Sequence, residues 1–114
     1  MDSRIFVVIC GESLYLMAIE ARLADYEPIQ VVRFDPYLPD AAARVASLHP
    51  AAVLVERQGD RFHLIDDLLA LNIPVVEVRP GEPLARLHDG RRIEVTELED
   101  WIVQMTSNAG QGER

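Results

Sequence analysis

Cys10, Gly11, Glu12, Glu56 and Arg79 are the residues whose types and placing could do chemistry. They stand where apolar runs end: Cys10 closes Ile5-Phe6-Val7-Val8-Ile9, Glu56 closes Ala51-Ala52-Val53-Leu54-Val55, and Arg79 closes Ile73-Pro74-Val75-Val76-Glu77-Val78. Open α/β sheets gather their sites at the C-terminal ends of strands, so these ends are expected to share one crevice. A strand-end cysteine becomes a nucleophile when backbone N–H groups and a cation lower its pKa. About six residues on, where a phosphate-binding loop would carry Arg or a hydroxyl, stands Leu16 among mostly apolar neighbours, and a buried thiol is the expected role. Glu56 with Arg79 as counter-ion would present a fixed negative charge; a solvated carboxylate beside a structural ion pair is the other reading. His49, His63 and His88 form no i,i+4 pair, and the adjacent Asp66 and Asp67 diverge by about 100° on a helix. No metal site is expected.

The elements that must position these residues follow from periodicity. The continuous apolar run at 5–10 and the stretch 51–56, which lacks polar alternation, suit strands buried on both faces, with Ile29-Gln30-Val31-Val32-Arg33-Phe34 and residues 73–79 as further strands. Ser13 is the expected N-cap of a helix over about 14–25, on which Leu16, Ile19 and Leu23 share one side. Leu14, Met17 and Ala21 share the opposite side, so this helix is apolar twice over. Asp40 is the expected cap of a helix from Ala41 to Leu48, and a third helix covers about 61–71. Three strand–helix units in series predict a three-layer, doubly wound parallel sheet. The rhythm then changes. Asp89-Gly90 between Leu84-Ala85-Arg86-Leu87 and Arg91-Arg92-Ile93-Glu94-Val95 predicts a β-hairpin in place of a fourth helix. Thr96-Glu97-Leu98-Glu99 opens a last helix with a capping box. Residues 1–107 are expected to form one domain and 108–114 a disordered tail.

Composition limits the partners. The chain has 114 residues, a net charge of −8, one cysteine and 11 basic residues, all of them arginine. An acidic field repels phosphate backbones and anionic lipid, so no nucleic acid and no membrane partner are expected. No apolar run approaches the ~20 residues of a membrane span, and a cytoplasmic location is the expectation.

The order β1-α1-β2-α2-β3-α3-β4 resembles the receiver domain of two-component response regulators from about Ile5 to Arg79. The likeness is strongest at His49-Pro50-Ala51-Ala52-Val53-Leu54-Val55-Glu56, where receivers carry a Pro-Asp pair, an apolar strand and the phospho-accepting aspartate. That register puts Glu56 at the acceptor position. Receiver chemistry transfers a phosphoryl group to a carboxylate while an acidic pair holds Mg²⁺. The pair falls on Cys10 and Gly11, with Glu12 one position later able to supply one ligand. The family's hydroxyl residue falls on Arg79, and its lysine has no counterpart because the chain contains none. The chain is therefore similar to pseudo-receivers, with no phosphorylation and no cofactor expected. Cys10-Gly11-Glu12-Ser13 also invites comparison with phosphocysteine loops, but those are longer and carry Arg or a hydroxyl about six residues on, where Leu16 stands.

The resulting expectation is a non-enzymatic regulatory or adaptor module acting through protein–protein contact as a homodimer. A small-ligand or nucleotide sensor binding at the strand ends is the alternative, and a Cys10 enzyme the third. Receivers commonly dimerise through their last helix and the strand before it. The resemblance thus makes Leu84, Leu87, Leu98, Trp101 and Met105 candidate interface residues, with core packing as the competing role of Trp101.

Overall fold

The computed structural model describes residues 5–11, 13–26, 29–56, 63–79, 81–82, 84–87, 91–94, 97–98 and 100–104. The elements are β1 (Ile5–Cys10), α1 (Leu14–Leu23), β2 (Ile29–Arg33), α2 (Ala41–Ala46), β3 (Ala52–Glu56), α3 (Leu64–Ala70), β4 (Val75–Val78), β5 (Leu84–Leu87) and β6 (Arg92–Glu94). Residues 98 and 100–104 are helical and are called α4. The expected tail, the Thr96–Glu99 capping box and the Asp89-Gly90 turn lie outside the described residues, wholly or in part.

All six strands form one sheet in the order β2-β1-β3-β4-β5-β6. β1 to β4 are parallel, whereas β5 pairs antiparallel with β4 and β6 antiparallel with β5. The sheet is therefore mixed and not parallel throughout. A strand that leaves β4 without an intervening helix returns beside it, which forces the antiparallel sense.

Alternation along the strands divides the core into two. Val7, Ile9, Leu54, Val76, Val78, Ala85 and Leu87 pack with Leu16, Ile19 and Leu23 of α1 and Leu98 and Ile102 of α4. Val8, Cys10, Val53, Val55 and Val75 pack on the other side with Ala41 and Val45 of α2 and Leu64, Ile65 and Leu68 of α3. The helices thus cover both faces of the sheet.

Ser13 caps α1 as expected, its Oγ accepting from the Leu16 N–H at 3.3 Å. Asp40 does not cap α2. It sits in the left-handed region at φ 56°, where its side chain makes no capping hydrogen bond.

Two of the candidate interface residues fall inside the domain. Leu87 and Leu98 are 4% and 0% exposed, and Trp101 is half-buried against the α1/α4 core. The hairpin widens the sheet, so α4 has a floor to cover and spends its apolar stripe there. Met105 lies outside the described residues. Leu98→Ala is expected to lower unfolding stability by about 3 kcal/mol, as for other fully buried leucines. Urea denaturation and sedimentation together check this: the midpoint falls while the oligomeric state stays unchanged.

Candidate functional site

The C-terminal ends of β1 and β3 meet at Gly11 and Glu56. Cys10 is the register partner of Val55, so Gly11 comes level with Glu56 just as β1 leaves the sheet. Gly11 adopts φ +147°, and a methyl group added there would lie 2.6 Å from the Glu56 Cβ, 2.8 Å from its Oε1 and 2.7 Å from the Leu16 Cδ1. Backbone, carboxylate and leucine are thus stacked in contact, a close approach that only a residue without Cβ permits. Glu56 is 5% exposed in consequence.

Arg79 does not join it. Glu56 is in register with Val78, so the pleat turns its side chain toward the α1/α4 face. Glu77 is in register with Val55, whose side chain faces α2 and α3, and Arg79 shares that parity. The Arg79 Nε–H donates to Glu77 Oε2 at 2.9 Å, and Nη1 lies 4.0 Å from Glu82. The hydrogen bond and charge of Glu77 hold the guanidinium above its ordinary pKa. The expected Glu56–Arg79 pair is therefore corrected to Glu77–Arg79. Neighbouring strand ends are adjacent in space, but adjacency does not put two side chains on one face.

Cys10 points away as well. Its side chain is fully buried beneath α2 and α3, and burial, aided by the negative charge of Asp35, pushes the thiol up to about 12. A protonated, enclosed thiol is the opposite of an activated nucleophile. Glu12 lies outside the described residues.

Beside this point a crevice of about 380 Å³ opens over the ends of β1 and β2, lined by Ile9, Gly11, Arg33, Phe34, Asp35, Pro36 and Tyr37. Of the described residues among those singled out from the sequence, Gly11 alone borders it. Arg33 is anchored by its Nε–H to Glu20 Oε1 of α1 at 2.7 Å, and one Asp35 carboxylate oxygen accepts the Tyr37 N–H at 2.9 Å. The sequence signal for these residues was the polar, proline-broken loop directly after β2. A second, wider groove of about 600 Å³ runs between α2 and α3 past Tyr37, Leu38, His63 and Leu71. Among the described residues no group of three or more His, Cys, Asp or Glu side chains could hold a metal ion, and no helix is long and apolar enough to cross a membrane.

Comparison with protein-family models, with curated proteins and with solved structures gives no match for this chain.

Two outcomes follow from this geometry. Gly11→Ala is expected to reduce stability by about 2–3 kcal/mol, because the new methyl group meets Glu56 and the backbone angle disfavours any L side chain. Chemical denaturation checks it, and a variant as stable as the parent would mean that β1 and Glu56 are not in contact. Cys10 is expected to resist alkylation in the native protein at pH 8 and to react fully once unfolded. Its folded pKa of about 12 lies above the ordinary 9.0. Its contribution to stability is accordingly whole below about pH 9 and is lost as pH rises toward 12. Native stability measured across that window should fall less steeply in Cys10→Ala.

Proposed function

We propose that this chain is a pseudo-receiver: a regulatory or adaptor module of doubly wound, flavodoxin-like type that acts through protein–protein contact, self-association included, and not through phosphoryl transfer. The observation that carries this reading is the sealed strand end. Glu56, at the position a phospho-acceptor would hold, is 5% exposed and pressed against Gly11 and Leu16. A phosphoryl group needs an open approach along the line of attack and cations to neutralise its oxygens. Here the residue in register on the neighbouring strand is Val78, and the nearby Arg79 is engaged with Glu77.

The surface of α1 supports contact as the mode of action. Leu16, Ile19 and Leu23 are buried, whereas Leu14 is 82% and Met17 45% exposed. Ala18 and Ala21 are exposed on the same side, completing the i, i+3, i+4, i+7 spacing of a helix-packing stripe. A monomer has little use for a second apolar side on one helix, and small residues at its centre let another helix approach closely. The crevice beside Gly11 favours the second reading, a small-ligand sensor, since its volume is in the range of ligand pockets.

Incubation with acetyl phosphate and Mg²⁺, followed by intact-mass measurement, is expected to leave the mass unchanged. A stable, Mg²⁺-dependent gain of one phosphoryl group on Glu56 would overturn the assignment. Thermal unfolding in the presence of nucleotides separates the two readings. No shift is expected of a contact module, and a concentration-dependent rise would transfer the function to the crevice.

A further inference from the structure

We infer that β6 is the self-association strand: two copies pair antiparallel across it about a two-fold axis at Ile93, with Arg92 of each copy opposite Glu94 of the other. The inference rests on the contact reading above and deepens it, naming the partner as a second copy and fixing the register. β6 is the outer strand at the hairpin end of the sheet. Its ladder to β5 pairs Leu84 with Glu94, Ala85 with Ile93 and Arg86 with Arg92. The Leu87 N–H donates to the Arg91 carbonyl at 2.8 Å, which makes Leu87 and Arg91 a hydrogen-bonded pair. Hydrogen-bonded and non-bonded pairs alternate along an antiparallel ladder, so Ile93 turns its N–H and C=O toward β5. Arg92 and Glu94 turn theirs outward.

Only residues with outward backbone groups can form the bonded pairs of a new ladder. Three symmetric registers satisfy that condition within β6. One sets Arg92 against Arg92 and another sets Glu94 against Glu94, both placing like charges directly opposite, which destabilises a sheet. The third sets Arg92 against Glu94 twice, with Ile93 against Ile93 between them, and forms four backbone hydrogen bonds. The interface is then isologous, as a two-fold dimer requires.

Electrostatics on one face of the sheet point to the same register. Ala85 faces α1 and α4, and its register partner Ile93 packs against the same core. Arg86, Arg92 and Glu94 therefore lie on the opposite face, where all three are exposed. Arg92 has Arg86 as its neighbour within the chain. A glutamate from a second copy would stand on its other side and offset that repulsion. The other outer strand, β2, offers no such complement: a two-fold about Val31 would set Ile29 against Arg33 and Gln30 against Val32. Protective edges are usually short and charged, which repels a like edge when the facing charges match in sign. β6 is short, but its two charges have opposite signs two residues apart, and that arrangement attracts its own copy.

Charge exchange tests the register. Sedimentation over a wide concentration range is expected to show a weak dimer, as befits three paired residues a side. Arg92→Glu and Glu94→Arg should each weaken association by roughly tenfold or more, since each creates two like-charge contacts, and the double exchange should restore it. Amide exchange gives a readout independent of any variant: the Arg92 and Glu94 N–H groups should become protected as concentration rises, and Ile93 should not. A wild-type protein that stays monomeric would overturn the inference. A dimer indifferent to both single exchanges would also overturn it, while leaving protein contact through another surface standing. Single exchanges that weaken association without recovery in the double variant would exclude the Arg92–Glu94 register.

Discussion

The two-residue alternation of the pleat in β1, β3 and β4 governs every contact at the strand ends. These strands are buried on both faces, so each side chain goes either to the α1/α4 side or to the α2/α3 side. Burial of polar groups without partners is costly, and such strands tolerate charge only near their ends. Glu56 and Glu77 are the two buried charged residues among those described, and they occupy the last stretch of neighbouring strands. A shift of one residue in register separates them onto opposite faces. That offset gives Arg79 its partner on the face away from Glu56, and the β1–β3 register, which sets Cys10 beside Val55, turns the thiol to the α2/α3 side.

Gly11 turns the same constraint into a direction for α1. Because β1 leaves the sheet in contact with the Glu56 side chain, the chain must rise over the sheet at once, and Ser13 starts the helix two residues later. Leu16 then lies on the glycine and carries Ile19 and Leu23 down onto the α1/α4 core. The Glu20–Arg33 ion pair ties the helix to the end of β2. Its side chains are partly exposed, so it adds little stability and mainly sets orientation. With the inner side so fixed, Leu14 and Met17 have only solvent or a partner to face.

Much of this was legible in local sequence. The apolar runs gave the strands, Ser13 gave the start of α1, and the change of rhythm after Arg79 gave the hairpin. Each of these is decided by residues a few positions apart. What escaped was decided between distant segments. Whether Glu56 and Arg79 share a face depends on how β3 and β4 are staggered, and no single run of sequence carries that number. Leu87 and Leu98 looked available to a partner because nothing local says that a widened sheet will lie beneath α4. Asp40 failed as a cap because a loop with Pro36 and Pro39 delivers it in the left-handed region, where its carboxylate cannot reach the N–H groups of the first turn.

The hairpin itself has an electrostatic reason to be where it is. Glu77 is 8% exposed at the penultimate position of β4, and a helix laid over that edge would bring apolar side chains against a carboxylate. The chain supplies cations instead. Arg79, two residues on, donates to Glu77 directly, and the antiparallel return of β5 sets Arg86 opposite it in register. Antiparallel pairing is the arrangement that a short connection allows, so a buried acid and a missing helix have one common solution. That solution leaves a second arginine, Arg92, in the same row beyond Arg86. In a chain with a net charge of −8, three of its 11 arginines thus fall within residues 86–92. Arg79 is thus the cation bonded to Glu77 at the inner edge of the hairpin, while Arg86 and Arg92 carry positive charge across the same face toward the outer edge, where Glu94 is the acidic residue of β6.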